Sequence, residues 1–104
     1  MTNKLLTNEI IKTLPALYST EEQSDPIALV RFFHSFSSWE WFLIEFDPVQ
    51  RLCFGLVNGF KSELGYFSLT ELESLEVLGC GIERDTHFKP VPVSVAKAVV
   101  HMGY

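Results

Sequence analysis

SWEWFLIEFD, residues 38–47, reads as a β-strand. Its aromatic and branched side chains suit a pleated, buried surface, and in an extended chain alternate residues point to opposite faces. Trp39, Trp41 and Leu43 then face one way and Glu40, Phe42, Ile44 and Phe46 the other. Both faces carry large apolar groups, which predicts a central strand covered on both sides. Outward from it, IALVRFFH (27–34) precedes and RLCFGLVNGF (51–60) follows across the turn signal Asp47-Pro48. The three read as an antiparallel meander. The turn dipeptide Asn58-Gly59 predicts a fourth strand around GYFSL (65–69), and Gly55 marks a bulge or a gap opposite an aromatic neighbour.

Short helices flank the meander. Thr7 caps a helix running to Lys12–Leu14, where Pro15 ends it, and YSTEEQSDP (18–26) reads as a loop. In SLTELESL (68–75), Ser68 and Glu71 have the spacing of a capping box, in which each side chain satisfies the other's free backbone donor. Leu69, Leu72, Leu75 and Leu78 fall on one face of that helix, and Gly79 ends it in a left-handed conformation. GIERDTHFKP (81–90) reads as a polar loop, and Ser94 caps a short terminal helix. The expectation is one α+β domain spanning 1–104: a small antiparallel sheet of three to four strands packed with two to three short helices.

Composition bounds the function. A chain of 104 residues holds one core, and with nine Phe, two Trp and three Tyr that core rests on aromatic burial. The net charge of -5, from 13 acidic and 8 basic residues, repels a phosphate backbone and suits a partner with a basic groove, so no direct nucleic-acid binding is expected. The N-terminus lacks the apolar centre of a signal peptide, and no stretch reaches the roughly 20 apolar residues of a spanning helix, so no membrane is expected. Cys53 and Cys80 lie 27 apart with no C-x-x-C spacing, which predicts two reduced thiols in a cytoplasmic protein.

Chemistry-bearing residues gather in two places. Glu83, Asp85 and His87 alternate along an extended segment and would present three ligands to a divalent metal, but Arg84 and Lys89 compete for the carboxylates and repel a cation. The competing reading has Glu83 or Asp85 pairing with Arg84 or accepting loop backbone donors, while His87 hydrogen-bonds across to a strand. Cys80 with His87 is the one nucleophile–base pairing that a loop there favours; His34 and His101 stand apart. Glu40, Glu45 and Asp47 are the paired-carboxylate candidates, with solvation their default reading. No phosphate-binding glycine loop is present. Elsewhere, Trp39 and Trp41 share a strand face and suit either a core or a grip on a peptide or base, with only Arg31 and Arg51 as accompanying cations. Glu63, Glu71, Glu73 and Glu76 form an acidic strip that is either a solvated face or an imitation of phosphate spacing.

Leu5-Leu6, Leu14-Pro15, Leu17-Tyr18, Thr20-Glu21, Trp39 and Trp41, GYFSLTELES (65–74) and ERDTHFKP (83–90) together resemble the domain-of-unknown-function family 2958. The resemblance covers nearly the whole chain. It implies a small single-domain protein of bacterial plasmids, phages and integrated mobile elements, often near genes for antirestriction and DNA processing. Members tend to carry an acidic loop between the second and third strands, where this chain has only Asp47-Pro48-Val49-Gln50. The family lends no activity and no cofactor.

Two functions follow as expectations. The first is a non-catalytic binding protein of a mobile element. It would modulate a host defence nuclease, of antirestriction or anti-CRISPR type, through protein–protein contact by Trp39, Trp41, Tyr66, the acidic strip or the charged segment from Glu83 through Arg84 and Asp85 to His87. The second is a small metal-binding protein or hydrolase with its site at 80–87. A sheet apolar on both sides also suggests a homodimer.

Overall fold

In a computed structural model, which describes residues 4–101, the aromatic strand lies inside a sheet, as its two apolar faces require. The elements in chain order are α1 (Asn8–Ile11), β1 (Ile27–Ala28), β2 (Val30–His34), β3 (Glu40–Asp47), β4 (Leu52–Asn58) and β5 (Ser62–Ser68). They continue with α2 (Leu69–Ser74), β6 (Glu76–Val77), β7 (Cys80–Arg84), β8 (Val91–Pro92) and α3 (Val93–His101). An antiparallel sheet of six strands runs β5-β4-β3-β2-β7-β6, and β1 pairs with β8 in a separate ribbon. The α+β expectation stands in coarse form, but the protein is mostly β. The meander β2 to β5 is as expected, and β7 with β6 extends the sheet beyond three to four strands.

The extra strands correct two readings. Residues 81–84 of the charged segment expected to be a loop lie in β7, paired through Phe32↔Arg84, Phe33↔Glu83 and His34↔Ile82. The helix expected to reach Leu78 stops at Ser74. Leu75 turns extended at ψ 129°, and Leu78-Gly79 makes the turn of the β6–β7 hairpin instead of a helix cap. Ser68 does cap α2, its hydroxyl accepting from Glu71 N–H at 3.1 Å. Thr7 likewise caps α1, accepting from Ile10 N–H at 3.2 Å, although that helix ends at Ile11. The terminal helix starts at Val93, so Ser94, expected as its cap, lies inside the first turn, and the cap comes from a distant loop. Asp25 accepts from Ser94 N–H at 2.9 Å and Ser94 Oγ–H at 2.5 Å, and these bonds hold its carboxyl below the usual value.

One bulge sorts the core. Leu43 pairs with Gly55 and Glu45 with Phe54, so Ile44 is the extra residue and the alternation of β3 reverses there. Phe46, expected beside Phe42, therefore joins Trp41 and Leu43 in the larger core, with Phe32, Leu69 and Ile82, under α1, α2 and the N-terminal segment. The smaller core holds Ala28, Phe42, Leu56 and Ala96 beneath α3. Leu5 is clamped at both backbone groups: its N–H donates to Glu73 Oε2 at 3.0 Å and its carbonyl accepts from Arg84 Nη1 at 2.7 Å. No helix among the described residues is long and apolar enough to cross a membrane.

Candidate functional site

The face of the sheet that holds the larger core is not covered to its end. Beyond α2 a groove of about 370 Å³ opens between the start of β3 and the β6–β7 hairpin. Trp39 and Trp41 form its floor, their ring centroids 6.0 Å apart as expected for alternate residues of one strand. Trp39 lies directly over Gly59, where a β-carbon would overlap the indole, so glycine there lets the ring seat against the β4–β5 turn. Phe60 meets Trp39 edge-on at 5.4 Å and is itself 96% exposed. The opposite wall is Leu75, Val77 and Leu78, and the end is closed by Phe36 from the β2–β3 turn.

Those side chains are unusually open for their size: Phe36 is 63% and Leu78 82% exposed. Leu78 also sits at φ 55°, followed by Gly79 at φ 79°, in a two-residue hairpin turn. Two positive φ values are the pattern of a type I′ turn, whose first central position favours Asn, Asp or Gly. A leucine there costs about 1 kcal/mol or more in backbone strain and leaves its side chain in water. The fold gains nothing visible in return.

His34 closes the base of the groove. Its Nδ1 accepts from Phe36 N–H at 3.3 Å, which puts the ring proton on Nε2, facing the Cys80 carbonyl at 3.2 Å. Both nitrogens are engaged in holding the β2–β3 turn to β7. Nothing is left over to act as a base.

On the other face, the charged residues of 83–87 are tied down: the expected loop backbone donor is found at Asp85, whereas the expected pairing with Arg84 does not form. Arg31 on β2 pairs with Asp85 at 3.1 Å and with Glu40 at 2.5 Å, and Asn58 donates to Glu40 at 3.0 Å. Glu83 accepts from Ser35 Oγ–H at 2.9 Å. Arg84 points to the opposite face and to Leu5, so it pairs with neither carboxylate. The His87 N–H donates to Asp85 Oδ1 at 2.9 Å, a local turn bond instead of the expected bond across to a strand, and the residue is exposed. Cys80 and His87 are kept apart, because β7 from Cys80 to Arg84 alone spans about 13 Å. Among the described residues, no group of three or more His, Cys, Asp or Glu side chains could hold a metal ion.

The acidic strip does not form. Glu73 turns inward, where it accepts from Leu5 N–H and pairs with Arg51 at 2.7 Å. Its spacing carried that signal: Glu73 stands four residues after Leu69, on the buried side of the helix. Glu63 is exposed, but five residues before the cap of α2, about 17 Å along β5, and only Glu71 and Glu76 remain exposed near the hairpin. Tyr66 packs on Phe54 at 5.0 Å and near Tyr18 at 6.2 Å, on the face opposite the groove. Glu45, expected to be solvated, is 2% exposed and accepts hydrogen bonds from the loop before β1. The sequence reading found the two tryptophans and missed Phe36, Phe60 and Leu78. Each of the three sits among turn residues, in SFSS, NGFK and LG, where a hydrophobic side chain has no strand or helix to bury it.

The thiols differ. Burial pushes the Cys53 thiol up to about 12, against the opposing pull of the nearby Arg51 guanidinium. A thiol reagent at pH 8 is therefore expected to modify half-buried Cys80 and to reach Cys53 only on unfolding, which peptide mass mapping with and without urea would show. Cys53 ionises in the unfolded chain near 9.0 but stays protonated in the fold. Its contribution is present in full below that value and is lost as pH rises from there towards about 12. Cys53→Ala should flatten that alkaline decline.

No curated protein and no solved structure matches this chain. One family model does, over residues 5–101, and its description is "Protein of unknown function (DUF2958)". Those residues include both walls of the groove, the charged ties of β7 and all three helices, and the chain belongs to the DUF2958 family.

Proposed function

We propose that this is a non-catalytic binding protein that takes a protein partner into the groove between Trp39 and the Leu78 hairpin. The observation that carries the reading is Leu78: an exposed leucine in a left-handed turn position is a cost to the free protein that a buried contact would offset. Clustering of Phe36 and the two tryptophans in the same groove, with exposed Phe60 packed on the edge of Trp39, supports the same site. The partner that fits is an apolar segment flanked by lysine or arginine. The lining segments 34–41 and 75–82 contain neither cation, while Glu76 stands exposed between Leu75 and Val77 and the whole chain carries -5. The family resemblance to plasmid, phage and integrated-element proteins supports a cytoplasmic setting. It also supports, as partner, a host defence nuclease, whose nucleic-acid channel is basic.

Leu78→Asn tests this, because it separates folding from binding. Asparagine tolerates the left-handed position, so the variant should gain about 1 kcal/mol and melt about 4–8 °C higher. Its affinity for a partner captured from host extract and then purified should fall about tenfold or more, the value of burying one leucine. Trp39→Ala should weaken the same complex. If Leu78→Asn holds the purified partner as tightly as the parent chain, the groove is not the site.

A further inference from the structure

The two edges of the sheet are unequal. One ends in β6, only two residues long, as edge strands commonly are; the other is β5, seven residues paired to β4 without a register break. β5 contains no proline, and its one charge, Glu63, is offset by Lys61 just before it. The bonding pattern of its outer side follows from the ladder. Leu69 N–H donates to Arg51 at 3.0 Å and Gly59 N–H to the Lys61 carbonyl at 3.1 Å, so β4 and β5 are bonded through odd-numbered residues. The N–H and C=O groups of Ser62, Leu64 and Tyr66 therefore point away from the sheet. Their side chains lie on the Phe54 face, with Leu64 53% and Tyr66 50% exposed.

We propose that β5 pairs antiparallel with β5 of a second copy, joining two sheets into one. The strand is self-complementary about Gly65. With that residue on the two-fold axis, Leu64 of each copy stands opposite Tyr66 of the other, Ser62 opposite Ser68, and Glu63 opposite Phe67. The central pairs are of the bonded kind on both strands, so the free backbone groups of Leu64 and Tyr66 meet each other. Two half-exposed Leu–Tyr pairs close into one apolar strip beside Phe54. No like charges face each other. Centring on Glu63 would oppose two carboxylates, and centring on Leu64 or Tyr66 would leave strand ends unpaired. The surface is distinct from the groove, and a charged groove rim with a near-neutral edge suits a basic partner at one and a second copy at the other.

The test uses the full chain in sedimentation equilibrium, with far-ultraviolet circular dichroism as the fold control. The parent chain should be dimeric at about 100 μM, the regime of small interfaces. Leu64→Lys with Tyr66→Lys puts lysines opposite each other and should raise the dissociation constant about tenfold or more. Leu64→Lys with Tyr66→Glu puts each introduced lysine opposite an introduced glutamate only in the Gly65-centred register, and should restore the dimer in a salt-sensitive form. Hydrogen exchange of the Leu64 and Tyr66 amides in the unaltered chain should slow as concentration rises. A monomeric parent chain, a parent dimer whose edge amides exchange independently of concentration, or two double variants that behave alike would overturn the proposal.

Discussion

Gly55→Ala is expected to unfold the protein, while Gly65→Ala on the next strand leaves it folded. Gly55 faces the bulge, where β3 presses its backbone onto β4 between Leu43 and Glu45. A β-carbon at Gly55 would overlap the Phe42 carbonyl oxygen and stand 2.9 Å from its carbonyl carbon and 3.1 Å from Leu43 Cα. All three atoms belong to backbone of a strand with neighbours on both sides, so none of them can swing away as a side-chain tip would. Relief requires β3 and β4 to part, which opens the larger and smaller cores together, because Leu43 is in one and Phe42 and Leu56 in the other. The loss should exceed about 4 kcal/mol, against a total of roughly 5–15 kcal/mol for a domain. At Gly65 a β-carbon meets nothing within 4 Å, and alanine there should be neutral or slightly stabilising. Urea denaturation of the two variants side by side checks this. Equal midpoints would mean that the strands separate easily at the bulge.

How far the sequence reached can be judged residue by residue. Strands β2 to β4 were legible because branched and aromatic side chains at strand spacing leave few alternatives. The bulge was half legible: Gly55 marked it, but Ile44 has the same composition as its neighbours. Nothing local tells a strand to carry one residue more than its partner, so the face of Phe46 came out reversed. β7 was misread for a different reason. Glu83, Arg84 and Asp85 look locally balanced in sequence, the charges of one loop, yet each reaches a partner distant in the chain: Ser35, Leu5 and Arg31. A charge held by a partner far along the chain has no local signature.

The hairpin after α2 shows one pattern overruled by another. Leu69, Leu72, Leu75 and Leu78 at intervals of three fit a helix, and Gly79 fits its end. In the fold β7 has to come alongside β2, and the chain leaves the helix at Leu75 so that β6 can pair with it. What reads as a fourth helical leucine becomes the exposed tip of the groove. The candidate site was thus visible in its aromatic half, Trp39 and Trp41, and hidden in its aliphatic half, because that half depends on where α2 stops.

Glu45→Ala is expected to cost about 3–5 kcal/mol, through a loop far away in sequence. Just past the bulge, the Glu45 carboxylate accepts from Tyr18 N–H at 2.7 Å, from Thr20 N–H at 2.9 Å and from the Thr20 hydroxyl. Phe46 N–H donates to the Pro15 carbonyl at 2.9 Å beside it, so the end of β3 is stitched to the whole 15–20 segment. Tyr18 sits at φ 70°, a strained value for a bulky residue, and its bond to Glu45 holds it there. Alanine would leave the Thr20 groups, buried in the fold, without an acceptor and release that strain together with a cavity. The consequence should travel along the same loop, because Asp25 caps α3 and Pro26 accepts from Val93 N–H at 2.8 Å. The loosened segment should therefore expose Glu21 and Glu22 to a glutamate-specific protease and weaken the packing of α3 on the smaller core. Glu45→Gln keeps one acceptor oxygen and turns an amide donor towards the remaining N–H or hydroxyl, so its loss should be smaller, about 1–3 kcal/mol. Melting temperature and cleavage rate should rank alanine worst, glutamine next and the parent chain best. Were Glu45→Ala to resist the protease as well as the parent chain, the carboxylate would not be what holds the loop.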